Sequence, residues 1–194
     1  MAPQNRQPET EVIRLRPGQL PYVSLTADIF YRVLASEIAA QRGMYGTAAT
    51  TMIGLARDTG DPRLARRGLE FQLAGGNLPG ALEAARVWAR LSPNDVEASS
   101  TELALAAANG QTKGLAQALR NRIDASRDKP AAIGQALAVL SRLNDRRLAL
   151  RILDESLSDS VRKLPAAHLA LADVASASGD YERAAQESLS LIHI

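Results

Sequence analysis

Residues 61–95 read DPRLARRGLEFQLAGGNLPGALEAARVWARLSPND and hold one complete structural unit. Asp61 stands before Pro62, as expected of an N-cap followed by a first helical residue whose missing N–H costs nothing. Leu64, Leu69 and Leu73 then return at helical spacing, Gly76-Asn77-Leu78 interrupts them, and Leu82, Ala85 and Ala89 resume the period. Ser92-Pro93-Asn94-Asp95 closes this second helix and opens the next.

The unit recurs along the chain. Turn signals stand at Gly43-Met44-Tyr45, Gly76-Asn77-Leu78, Gly110-Gln111-Thr112, Asn144-Asp145-Arg146 and Gly179-Asp180-Tyr181, at intervals of 33, 34, 34 and 35 residues. Five residues past each Gly or Asn comes a small or apolar residue: Ala48, Ala81, Leu115, Ala149 and Ala184. Gly and Asn suit a turn that needs positive φ. Pro62, Pro130 and Pro165 each fall 14 residues before their turn, where a helix begins. The pattern predicts helices over 26–42, 45–58, 62–75, 78–91, 95–108, 112–125, 130–143, 146–157, 163–177 and from 181 onward. No segment alternates as a strand does. One helix pair cannot bury its apolar face alone, so a period of this length implies neighbours stacked on a shared core.

Composition narrows the class. With 194 residues, 46% apolar, 23% charged and no Cys, the chain is neither a disulfide scaffold nor a fully disordered one, and it has no thiolate for metal binding or nucleophilic attack. A net charge of +2 implies neither a nucleic-acid nor a membrane surface. No run of about 18 apolar residues is present, so no transmembrane helix is expected. Residues 1–24, with Pro3, Pro8, Pro17 and Pro21 among polar residues, read as an extended or disordered leader. Residues 25–188 hold the repeats. Leu189-Ser190-Leu191-Ile192-His193-Ile194 looks like a translated transposon mosaic-end adapter, so 189–194 is expected to be a non-native tail.

The five units resemble the tetratricopeptide repeat. Gly76-Asn77-Leu78, Ala81, Ala85, Trp88 and Pro93 carry most of that pattern, and Gly179-Asp180-Tyr181 with Ala184 repeat part of it. Units three and four depart from it: Thr112 and Arg146 replace the turn aromatic, and no Pro closes unit three. The resemblance implies an all-α fold, a right-handed α-solenoid of about five antiparallel helix pairs. The helix starting near Tyr181 breaks off without a cap, so the solenoid is expected to be truncated at its C-terminus and to continue into further repeats.

No catalytic residue, cofactor site or metal site is read from the chain. His168 lies mid-helix without a His or Cys partner, and is expected to be structural or solvated. Glu83, Glu97, Glu102, Asp154 and Glu155 are scattered at surface spacing, and neither a phosphate loop nor a nucleophile elbow is present. Trp88 and Tyr45 are expected in the core. Arg57, Arg63, Arg66 and Arg67, interleaved with Asp58, Asp61 and Glu70, are expected to form a salt-bridged face rather than a nucleic-acid stripe.

In a tetratricopeptide superhelix the first helix of each pair lines the concave side. Carried over by register, the resemblance places Phe30, Val33 and Glu37, then Arg63, Arg66 and Glu70, then Glu97 and Ser100 in a partner-binding groove. Val33, Glu37, Glu97 and Thr101 stand where the chaperone-tail-binding members need cations or amides, so that clamp is not expected here. Residues 24–125, including LTADIFYRVLASEIAAQRGMY, are similar to proteobacterial periplasmic or outer-membrane tetratricopeptide lipoproteins that scaffold a C-terminal processing protease. The resemblance implies a non-catalytic adaptor for a protein or peptide partner, a periplasmic or outer-membrane-associated location, and neither nucleic-acid binding nor membrane insertion by this chain. The alternative is the substrate-recognition arm of a larger enzyme.

Overall fold

The structure, a computed structural model, describes residues 21 and 23–191. Its eleven helices, with no strand among the described residues, are α1 (Ala27–Gln41), α2 (Tyr45–Thr59), α3 (Pro62–Ala74), α4 (Leu78–Leu91), α5 (Val96–Ala108), α6 (Leu115–Ala125), α7 (Lys129–Leu140), α8 (Arg146–Ser156), α9 (Asp159–Arg162), α10 (Pro165–Ser178) and α11 (Tyr181–Ser190). Five sequential pairs, α1/α2, α3/α4, α5/α6, α7/α8 and α10/α11, make a tetratricopeptide-like all-α stack. The four-residue α9 is inserted before the last pair.

Side chains of the turns start most of these helices. Asp61, Asn77, Asp95, Asp128, Asp145 and Asp180 each accept a hydrogen bond from a backbone N–H of the first turn that follows, a cap of about 1 kcal/mol apiece. Pro62 and Pro165 occupy the first helical position, and Pro130 the second. The positions five residues past the turns seal the packing: Ala48, Ala81, Leu115 and Ala149 are buried, and half-buried Ala184 packs on the same core.

Several local expectations need correction. Gly43, Gly76, Gly110 and Gly179 have positive φ, but Asn144 does not, since only glycines do so among the described residues. α7 stops at Leu140, and Ser141, in right-handed conformation, caps it. α6 starts at Leu115 instead of 112, because Gly114 at φ 77° cannot sit inside a right-handed helix. α9 was not anticipated; it forms where Leu157 and Val161 turn into the core. Of the expected leader and tail, residues 1–20, 22 and 192–194 lie outside the described residues, while Leu189 and Ser190 continue α11.

First helices stand beside first helices. α1 and α3 are joined by an ion pair, as are α3 and α5, while α5 packs on α7 and α7 on α10. Second helices form the other row, with α2 against α4 and α6 against α8. The expected single core is divided. One apolar cluster runs from Ala39 to Leu105 and the other from Ala107 to Ala175, and they meet on α5. There α5 and α6, joined by the longer connection 109–114, scarcely touch, unlike the pairs on either side.

Candidate partner-binding row

A lattice of ion pairs ties the first-helix row together. The Arg67 guanidinium on α3 donates to both carboxylate oxygens of Glu37 on α1, at 2.8 and 2.7 Å, and to Glu70 Oε2 at 2.6 Å. Its neighbour Arg66 donates to Glu97 Oε1 on α5 at 2.8 Å and lies 3.9 Å from Glu70. Both guanidiniums lie over aromatic rings, Arg66 at 5.2 Å from the centre of Trp88 and Arg67 at 4.4 Å from that of Phe71. The hydrogen bonds from Arg67 outweigh burial and hold the Glu37 carboxyl below its ordinary pKa, while Glu37 and Glu70 raise that of Arg67.

Glu37, Arg66, Glu70 and Glu97 of the expected groove are thus brought together, with Arg67 at the centre. Arg63 is not part of the lattice. Its guanidinium turns back on Asp61, with Nη2 2.6 Å from Oδ2, and helps hold that buried N-cap ionised. Burial alone would raise the Asp61 pKa, but the side-chain and backbone hydrogen bonds from Arg63 bring it below the ordinary value. Phe30 is 56% exposed on α1, and Val33, half-buried, packs on the first core cluster. Trp88 is in the core, as expected, with Tyr45 packed against it.

The lattice follows the repeat. Glu37 and Glu70 both stand six residues before a turn glycine, so Arg67 bridges one glutamate and its equivalent in the next unit. Unit three breaks the series: Ser100, Thr101 and Ala104 occupy the registers of Arg66, Arg67 and Glu70. With those long side chains replaced by short ones and α5 splayed from α6, an apolar pocket of about 190 Å³ opens between α5, α6 and α7. Leu103, Leu119, Ile123 and Ala136 help line it, Ser100 and Arg122 stand at its wall, and Ala138, in the Glu37 register of unit four, lines it as well.

Sequence reasoning identified Ser100 but missed Arg122. This guanidinium donates to Ser100 Oγ, to Val96 O and Gln135 Oε1 at 3.3 Å, and to Ser99 Oγ at 3.4 Å, all neutral acceptors. Burial lowers its pKa, yet an arginine so shifted keeps its charge at neutral pH. Nothing near position 122 in the sequence announces this setting, because its acceptors come from α5 and α7. The repeat register of 100, 101 and 104 was the available signal.

Other candidates are structural. His168 Nδ1 lies 2.7 Å from Glu187 Oε2 with both side chains largely buried, joining α10 to α11, and Arg183 joins α11 to Asp154 on α8. Among the described residues no group of three His, Cys, Asp or Glu is placed to hold a metal ion, and no helix is long and apolar enough to cross a membrane.

No family model matches this chain, and no curated protein matches it. Among solved structures it is similar to "MamA 41-end from Desulfovibrio magneticus RS-1", at 15% identity and a TM-score of 0.48 over 88% of this chain and 96% of that one. It is also similar to a structure titled "Crystal structure of MamA protein", at 11% identity and a TM-score of 0.48 over 84% of this chain and 90% of that one.

Proposed function

We propose that the chain is a non-catalytic scaffold that holds an extended polypeptide segment along its row of first helices, α1, α3, α5 and α7. The observation that carries this reading is the continuity of the row. Exposed Phe30 on α1, the ion-paired platform from Glu37 through Arg67 and Arg66 to Glu97, and the pocket beside Ser100 follow one another across four units. A strip that alternates apolar anchors with charged groups suits an extended segment, which offers side chains at regular intervals and leaves its backbone to water or polar partners. The ion pairs also support it: they fix long side chains between units, so less freedom is lost when a partner arrives.

We take the first partners to try, a periplasmic processing protease or its substrates, from the resemblance read in the sequence of residues 24–125, which no family model or curated protein matches. The expected result is that the immobilised chain retains a discrete envelope protein, and that Phe30→Glu together with Ser100→Trp abolishes retention while helicity by circular dichroism is kept. Equal retention by the folded double variant, or none by the parent chain, would overturn the reading.

A further inference from the structure

We propose that the pocket between α5, α6 and α7 gives the row its selectivity, and that it takes an acidic polypeptide segment in which an Asp or Glu side chain flanks an aromatic or branched aliphatic one. The apolar group enters the pocket and the carboxylate meets Arg122 and Arg142. This deepens the reading of the first-helix row as a partner surface and rests on it.

The pocket sets the apolar half of the ligand. Its volume of about 190 Å³ exceeds that of the roughly 150 Å³ apolar cavity known to hold one benzene, so it suits a single aromatic ring or branched side chain. Charge sets the other half. Arg122 and Arg142 both line the pocket, and neither has a carboxylate within ion-pair distance among the described residues. The Nη2 of Arg122 carries most of its contacts to neutral oxygens, while its Nε donates to nothing among the described residues. A half-buried guanidinium in this state gains charge-assisted hydrogen bonds from a carboxylate at little further desolvation.

The surroundings point the same way. Residues 113–151 contain nine Lys or Arg against three Asp and no Glu. Asp128 and Asp145 are occupied as N-caps, and Asp124 accepts from the Ser158 hydroxyl. None of the nine cations stands in an ion pair among the described residues, whereas six of the eight described arginines that precede them, Arg32, Arg57, Arg63, Arg66, Arg67 and Arg86, do. Arg120, Lys129 and Arg146 donate to backbone carbonyls near the ends of α8, α6 and α7, and of the nine Arg122 and Arg142 are the cations that line the pocket. A nucleic acid is the poorer match, because no Phe, Tyr or Trp lies between Trp88 and Tyr181 to stack a base, and His168 is largely buried against Glu187.

The test is fluorescence anisotropy of the full chain with short, terminally blocked peptides centred on Glu-Phe-Asp, Gln-Phe-Asn or Glu-Ala-Asp. The first is expected to bind about tenfold or more tightly than either of the others. Arg122→Gln, which keeps a donor for Ser100, is expected to remove the preference for the acidic peptide, and Ala104→Leu, which fills the pocket from α5, to remove the preference for Phe. Arg57→Gln, outside the row, should change neither. The proposal is overturned if acidic and amide peptides bind the parent chain equally, or if folded Arg122→Gln keeps the preference. It is equally overturned if the blocked acidic peptide fails to bind while the same peptide with a free terminal carboxylate binds, or if a uridine oligonucleotide binds more tightly than the acidic peptide. Should Arg122→Gln still retain the envelope protein while the peptides show no preference, the row survives as a partner surface and only the acidic assignment falls.

Discussion

Two mid-helix glycines, each on a first helix of its pair, sit in opposite environments. Gly68 on α3 is buried against α2, and a Cβ there would lie 2.7 Å from Ile53 Cγ1 and 3.3 Å from the Ala49 carbonyl oxygen. Neither is the loose end of a flexible side chain, so the two helices have to part. Gly134 on α7 is exposed, and a Cβ there meets nothing within 4 Å. Gly68→Ala is therefore expected to destabilise the fold by about 1–3 kcal/mol through overpacking. Gly134→Ala should stabilise it by about 0.5–1 kcal/mol, through reduced backbone freedom of the unfolded chain and higher helix propensity. Urea unfolding followed by circular dichroism checks both, and the opposite signs are the diagnostic outcome. Helix periodicity alone would assign both changes the same sign.

Between elements, the Glu37–Arg67–Glu70 lattice stitches α1 to α3, and its worth depends on the carboxylates staying ionised. The folded pKa of Glu37 is lowered, so its contribution is fully present above the ordinary glutamate value of about 4.3 and is lost as pH falls through the lower folded value. Asp61, lowered as well despite its burial, behaves alike from an ordinary value of about 3.9. The urea midpoint is expected to hold steady from about pH 7 to about pH 5 and to decline below about pH 4, with Arg67 charged throughout. Glu37→Gln should lower the neutral plateau and flatten the acid decline, and the difference should shrink in about 1 M salt, because the pair is partly open to water. A parallel acid decline in parent and variant would show that Glu37 contributes nothing to it. The helices that this lattice joins were legible in the sequence to within a few residues, since Asp61-Pro62 and the Gly76 turn act through neighbours in the chain. The lattice itself was only half legible: Glu70 is three residues from Arg67, but Glu37 and Glu97 come from other units and were not paired with their arginines. α9 is too short to show a period, and the start of α6 depended on Gly114 adopting positive φ after a turn that already had a glycine at 110.

Across the whole molecule, the two apolar clusters that meet at α5 are expected to make the stack behave as two cooperative halves. In a repeat array each unit draws its stability from its own packing and from its neighbours, and unit three is thinly packed within itself, since the splayed α5 and α6 scarcely touch. The short Ser100 and Ala104 line the pocket beside the place where α5 and α6 part, so the proposed ligand site and the seam lie together. Leu119, fully buried on α6, belongs to the second cluster alone. Leu119→Ala is expected to remove about 2–5 kcal/mol from that half. Hydrogen exchange should then quicken across α6 to α11 while amides of α2, α3 and α4 keep their protection, since their core contains no residue of α6. Uniform acceleration along the chain would show a single cooperative body. A ligand bridging α5, α6 and α7 should slow exchange in both halves, because it adds across the seam the contact that the two helices do not make with each other.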